Sequence, residues 1–424
     1  MLYYGRGSVQ DILSFADLRS GLHETLGLLG GKKKVLIVPP DITRVHSQAG
    51  SLTRFAVQYY GSRVTDILPA IGTHDPMTDG EIATMYGDLP RSLFRKHDFR
   101  HAIATLGEVP AEVVRMLSGG AVDYPVPIQV GSLLNDGGHD LILSIGQVVP
   151  HEVAGMANHR KNIFVGTGGV DGINRTHFLG AAYGMEKIMG RADTPVRKVL
   201  DYGADHFARH LPIVYVLTVV DRDRSTGSLV VRGLYIGDDV ECFTKAAALS
   251  LEVNFTLLER PLRKVVVYLE PSEFKSTWLG NKSIYRTRMA IADGGELIVL
   301  APAVSKFGED AGIDRLIRKY GYVGTQQVLD LVSKHEDLRN GLSAAAHLMH
   351  GSSDGRFSIT YCPSGLSRQE IESVNFRYAP LPDMLRRYDP ASMRDGMQVL
   401  PGGEEVFYIS NPALGLWAHR DRMV

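Results

Sequence analysis

Cysteine is nearly missing from this chain. Cys242 and Cys362 are the only two in 424 residues, and no CxxC spacing occurs. That excludes a disulfide scaffold and a thiolate zinc site, and it fits a reducing cytoplasm. No apolar run reaches about 18 residues, so no segment is expected to span a membrane. An excess of one charge is missing as well: 46 basic residues face 47 acidic ones, a net charge of −1. No nucleic-acid or membrane-surface partner is expected from that balance. The opening MLYYGRGSVQDIL lacks a basic region followed by an apolar stretch, so no signal peptide is expected. Internal repeats and low-complexity tracts are absent from the sequence.

What is present is an ordinary globular composition, 44% apolar and 22% charged, in a chain long enough for two domains. Short β-branched apolar runs at 32–39, 64–72, 127–131 and 140–149 read as buried strands, with helical spacing at 47–60 and 78–87 between them. This alternation predicts an α/β fold with largely parallel sheets. Residues 211–237 place two apolar runs around DRDRSTGS and read as an antiparallel hairpin. Helical spacing returns at 176–190 and 239–255. After Pro261 the pattern restarts, with strands at 263–271, 296–302, 357–363 and 405–410 and helices at 309–320, 324–336 and 338–350. The expectation is two α/β domains, 1–258 and 259–424, with the last ~20 residues able to pack back on the first.

Functional groups in open α/β sheets sit in loops past the carboxyl ends of strands. Three such loops are unusually polar: PPDITRVHS (39–47), GTHDP (72–76) and PHEVAGMANHRK (150–161). If their strands are parallel, Asp41, Arg44, His74, His151 and Lys161 rise from one edge. Each has a functional and a plain reading. Arg44 either grips an anion or is a solvated first-turn residue behind an Asp41 N-cap. His74 and His151 are acid/base candidates or turn residues, Pro150 fixing the backbone before His151. His159 is expected to be exposed or to line the loop without reacting. Lys161 is a solvated lysine unless it makes a covalent attachment. His177 lies on a predicted helix, as a core residue or as a nickel ligand. In GTGGVDG (166–172), Gly166, Gly168 and Gly169 either open a phosphate cradle or make a tight turn at positive φ. The segment fits neither G-x-G-x-x-G nor G-x-x-x-x-G-K-[ST]. Lys275 of PSEFKSTW follows the strand at 263–271 and is either half of a carboxylate clamp or a surface lysine. From spacing alone the site is an anion-binding cleft with a histidine pair.

The ordered set DITR, GTH, PH, a lysine ten residues after that histidine and a histidine sixteen residues further on resembles the nickel-dependent lactate racemase family. The resemblance runs through most of the chain, and its specificity lies in the joint spacing. It implies two α/β domains with the site in a cleft between them. It also implies a nickel-pincer nucleotide attached covalently through Lys161, with His177 as the metal ligand and cofactor-synthesis proteins as partners. The soft sulfur ligands then come from the cofactor, so no protein cysteine is needed. The implied reaction is inversion of C2 of a 2-hydroxycarboxylate by reversible hydride transfer. His74 and His151 serve as the two acid/base groups, Arg44 and Lys275 hold the carboxylate, and Asp41 orients a neighbour. Gly166, Gly168 and Gly169 are assigned to the cofactor and Ser272 to the substrate.

Three departures separate this chain from the family pattern. The family loop reads close to AGFSGG before the lysine, where this chain has AGMANH. Asp75 follows GTH in place of the usual Arg. Pro271 and Ser272 stand where lactate-specific members carry Tyr and Gln, which opens the pocket toward a larger, more hydroxylated substrate. The run at 278–302 looks like the sugar-acid epimerase branch, acting on aldonates such as gluconate and mannonate. Two other classes remain: an NAD-dependent 2-hydroxyacid oxidoreductase, disfavoured by the missing dinucleotide fingerprint, and a non-catalytic sugar-acid binding protein.

Overall fold

The computed structural model describes residues 1–223 and 226–422. The chain separates into two compact units, Met1–Thr176 with Gly190–Asn254, and His177–Met189 with Phe255–Val424. The last two residues of the second stretch lie outside the described residues.

In the first unit the strands are β1 (Leu2–Gly7), β2 (Val35–Val38), β3 (Val64–Ile67), β4 (Ile103–Val109), β5 (Val126–Gly131), β6 (Leu141–Gln147), the two-residue β7 (Pro150–His151) and β8 (Gly155–Met156), β9 (Ile213–Arg222) and β10 (Leu229–Gly237). Six of them form one sheet in the order β1-β10-β9-β6-β2-β3. Its β3, β2, β6 and β9 run parallel, while β10 and β1 add an antiparallel edge. Every residue of β2 and β6 is buried. That explains their unbroken apolar runs, since a central parallel strand is covered on both faces. The hairpin expected at 211–237 is β9 with β10; Arg224 and Ser225 in its turn lie outside the described residues.

Two expectations are corrected in this unit. The run at 127–131 does not join the parallel sheet: β5 pairs antiparallel with β4 as a separate ribbon, and β4 was not read as a strand. The helix expected at 176–190 is two: Val170–Tyr183, then Met185–Ile188. Gly184 between them takes φ 109°, a conformation that ends a helix and suits glycine.

The second unit holds β11 (Phe255–Leu258), β12 (Leu262–Tyr268), β13 (Ile291–Ala301), β14 (Ser358–Pro363), β15 (Arg377–Tyr378), β16 (Gly396–Val399), β17 (Glu405–Ile409) and β18 (Leu416–His419). Its main sheet runs β15-β14-β13-β12-β17-β16, parallel except for β16. The helix expected at 338–350 breaks at Gly341 into Glu336–Asn340 and Leu342–His350.

The closing strand β18 pairs in parallel with β11. Leu416 and Ala418 pack with Met185, Met189, Tyr285 and Met289. Met185 and Met189, like the chain end, belong to the second unit. Charge holds the same segment: Glu186 accepts from Arg288 at 3.1 Å and from Arg356 at 2.9 Å. Among the described residues, no helix is long and apolar enough to cross a membrane.

The helix Ala49–Tyr60 follows the loop after β2 and packs on the helix Asp79–Tyr86. They meet at Gly50, where a Cβ would lie 1.9 Å from the Met85 carbonyl oxygen. Gly50→Ala is therefore expected to destabilise the chain by about 1–3 kcal/mol through overpacking. A lowered urea midpoint with an unchanged slope is the expected result.

Candidate active site

The carboxyl ends of β2, β3 and β6 are neighbours because the three strands are parallel and adjacent. The loops bearing Asp41, Arg44, His74, His151 and Lys161 therefore gather at one edge, as the sequence led us to expect. Asp41 serves both of its readings at once. Its Oδ1 accepts from Thr43 N at 3.0 Å, capping the 3-10 turn Ile42–Ser47. Its Oδ2 lies 2.6 Å from His74 Nδ1. Arg44 leaves helical geometry within that turn, at φ −121° and ψ 28°, and its Nη1 donates to Thr43 O at 3.1 Å.

The Asp41 carboxylate is 6% exposed. Burial pushes its pKa up, but His74, Thr43 and Arg44 outweigh burial and bring it down from 3.8 to about 2. A carboxylate at this position accepts the Nδ1 proton of a neutral His74, so Nε2 becomes the acceptor nitrogen. His151, 7% exposed, has the opposite arrangement. Its Nδ1 accepts from Val153 N at 3.1 Å, so the neutral ring carries its proton on Nε2. Glu152 Oε2 lies 3.7 Å from the same Nδ1.

Lys161 sits in the five-residue helix Arg160–Phe164. Burial lowers its pKa from 10.5 to about 8; Glu152 and Asp41 oppose that shift, while Arg44 and Arg197 add to it. Asp41, Arg44 and Glu152 from the neighbouring loops all act electrostatically on this one amine.

Several residues that sequence reasoning passed over hold the helix in place. Asn162 Nδ2 donates to Val38 O at 3.2 Å and Ser144 Oγ at 3.0 Å, joining the lysine helix to β2 and β6. Gly72 N donates to Gly166 O at 2.8 Å, which ties the His74 loop to the end of the same helix. Arg197, buried on the helix Pro195–Phe207, donates through Nη2 to the carbonyls of Met156 and Asn158. His97 Nε2 lies 3.0 Å from Gly168 O. The adjacency of Asn162 to Lys161 was the one available signal; Arg197 and His97 had none.

Gly166, Gly168 and Gly169 do not take positive φ, which corrects the tight-turn reading. They are glycines because backbone or side chains press on them. A Cβ would lie 2.4 Å from Asn162 O at Gly166, 2.1 Å from Phe164 O at Gly168 and 2.5 Å from Gln129 Oε1 at Gly169.

The AGMANH departure is now explained in part. Asn158 and His159 occupy the two positions where the family loop has paired glycines, and they keep positive φ, 64° and 56°. Such a conformation costs non-glycine residues about 1–3 kcal/mol each. Of the two expectations for His159, exposure is overturned, since it is 1% accessible. Its ring lies 4.0 Å from Tyr215 and 5.1 Å from Phe243, and Nε2 is 3.2 Å from Asp239 O. Burial first, then Arg197 and Arg160, hold its pKa well below the usual histidine range. His159 is therefore a neutral packing residue.

The remaining candidates belong to the second unit. His177 is half-buried on the helix Val170–Tyr183. Ser272 and Lys275 are exposed in the loop after β12, with Ser272 Oγ 3.5 Å from Glu270 Oε1. Among the described residues, no group of three or more His, Cys, Asp or Glu side chains could hold a metal ion.

Residues 20–188 match the family model of the lactate racemase N-terminal domain. A protein of Thermotoga maritima, solved by a structural genomics consortium, is similar with a TM-score of 0.81 and 25% identity, covering 97% of this chain and 99% of its own. The lactate racemase apoprotein from Thermoanaerobacterium thermosaccharolyticum is similar in fold, with a TM-score of 0.71 at 17% identity over 97% of this chain and 94% of its own. No curated protein matches the sequence.

Two measurements check the electrostatics. The folded pKa of Asp41 lies below its ordinary 3.8, so its contribution is present above about pH 4 and lost as pH falls toward 2. The difference in stability between wild type and Asp41→Asn is expected to shrink by on the order of 2 kcal/mol across that window in urea titrations. Labelling of Lys161 by an amine-reactive reagent, followed by peptide mass spectrometry, is expected to rise through about pH 8, below the range of exposed lysines.

Proposed function

We propose that this chain, whose residues 20–188 match the lactate racemase N-terminal domain, is a racemase or 2-epimerase of 2-hydroxycarboxylates. The observation that carries this reading is the pair of histidines oriented through Nδ1 at one sheet edge. His74 Nδ1 lies 2.6 Å from Asp41 Oδ2 and His151 Nδ1 accepts from Val153 N, so each ring is held through the same atom with Nε2 as the atom proposed to move the proton. Inversion needs an acid/base group for each orientation of the substrate hydroxyl, and two such rings at one sheet edge supply them. Arg44 is the cation of that edge suited to a carboxylate, which its planar fork matches.

The family's cofactor is a nickel-pincer nucleotide, and the residues present fit it. A half-buried amine whose pKa is lowered to about 8 carries a larger free-base fraction near neutral pH than an exposed lysine, which favours a covalent tether through Lys161. His177 is proposed as the chain's ligand to the metal, imidazole being a suitable nickel donor. When bound, the group supplies a hydride acceptor for the α-hydrogen. The protein's own residues hold the carboxylate and move the hydroxyl proton.

Lys275 and Ser272 are proposed as substrate-binding residues of the second unit. Asn411 Nδ2 donates to Glu273 Oε1 at 3.3 Å beside them. Hydroxyl, carboxamide and carboxylate groups at that strand end favour a polyhydroxylated substrate, so an aldonate is preferred over lactate.

Protein produced together with the cofactor-synthesis proteins is expected to carry a mass adduct on Lys161 that Lys161→Ala abolishes. The loaded enzyme should invert C2 of an aldonate in a nickel-dependent manner. His74→Gln and His151→Gln are each expected to lower kcat by about 10²–10⁴-fold while leaving the adduct intact. An unmodified Lys161, with turnover indifferent to nickel, would refute the assignment.

A further inference from the structure

The second unit contains a cavity of about 390 Å³ lined by none of the residues discussed for the reaction. It lies at the amino-terminal side of the sheet, where the chain leads into β14 and β15 and where β13 is still rising. Ser272 and Lys275 follow the carboxyl end of β12, which is parallel to those strands, so they lie at the opposite edge. The volume falls within the range of small-molecule sites.

Two guanidinium groups line the cavity, Arg356 and Arg377, and no lining residue is acidic. They differ in commitment. Arg356 is fully engaged: Nε donates to Asp293 at 2.9 Å, Nη1 to Glu186 at 2.9 Å, and Nη2 to Ile291 O at 3.0 Å. Arg377 is exposed, and among the described residues no ion pair or side-chain hydrogen bond involves it. Gly294 and Gly355 take positive φ, 75° and 76°, and a Cβ on either would meet nothing within 4 Å. Open space therefore reaches the peptide backbone there. One wall is rigid: the rings of Tyr322 and Phe376 stack at 4.5 Å, and the Tyr322 hydroxyl is 2.9 Å from both Thr277 Oγ1 and His347 Nε2.

We propose that this cavity is a second small-molecule site for a compact oxyanion, a phosphate ester or a polycarboxylate, with Arg377 as its principal contact. Asp293 and Glu186 balance the charge of Arg356, so the lining cation left without a carboxylate partner is Arg377, whose planar guanidinium matches phosphate and carboxylate oxygens alike. Arg356 gives the site a link to the rest of the unit. The side chain that lines the cavity also grips Glu186, so an anion seated here rests on the loop that fastens the segment His177–Met189.

The test is calorimetric titration of the full chain with inorganic phosphate and, separately, with tricarballylate, a polycarboxylate without a 2-hydroxyl, at constant ionic strength. Saturable binding of at least one is expected, weakened about 10-fold or more by Arg377→Gln and unchanged by Arg44→Gln. Saturation by phosphate alone assigns phosphate esters, and saturation by tricarballylate alone assigns polycarboxylates. Hydrogen exchange should slow in residues 352–359 on addition of the anion that binds. Absence of saturable binding by either anion, or equal affinity in Arg377→Gln, would overturn the proposal. So would loss of binding in Arg44→Gln, which would place the anion at the first unit's edge.

Discussion

A helix of five residues cannot hold itself together, because nucleation costs more than its few hydrogen bonds return. Lys161 rides on such a helix, so the placement of its amine depends on bonds from elsewhere. Asn162 provides them downward, to β2 and β6, and Gly166 provides them sideways, to the loop that carries His74. Arg197 holds the approach to the helix through the carbonyls of Met156 and Asn158. The lysine helix and the His74 loop thus share one backbone framework.

The interior around that framework is chemically unusual. Arg197 is fully buried, with burial lowering its pKa to about 10, and its guanidinium lies 4.1 Å over the Phe243 ring. The same phenylalanine stacks on His159. A positive-φ pair that glycine would occupy without strain is filled here by Asn158 and His159, whose side chains plug the space behind the loop. The strain of those two positions is offset by aromatic burial and by the bond from His159 to the Asp239 carbonyl. This accounts for a departure from the family loop that leaves the lysine unaltered.

The second unit follows the same logic with different chemistry. The short stretch His177–Met189 is far from Phe255 in sequence, yet it clusters with the second unit. Glu186 fastens it to Arg288 and Arg356, and Met185 and Met189 bury against Tyr285 and Met289. Ion pairs of this kind, partly withdrawn from water and shared among several arginines, specify position more than they add stability.

Much of this was legible in the order of residues. The fully apolar β2 and β6 announce a parallel sheet, and in such a sheet the loops that follow adjacent strands must meet, so Asp41, His74, His151 and Lys161 could be grouped before any coordinates. The β4–β5 ribbon was not legible, because antiparallel pairing of two modest strands leaves no pattern distinct from a sheet member. Nor could spacing show that His159 is buried, that Gly166 to Gly169 are crowded and not turned, or that Arg197 lies beneath the loop. By itself the sequence determined which chemical groups stand at the strand ends, since strand period and direction follow from local pattern. Only the tertiary structure decided which partner engages Nδ1 of each histidine and how far the lysine pKa falls. Those properties depend on partners distant in the chain and on exclusion of water, and neither is written in local sequence.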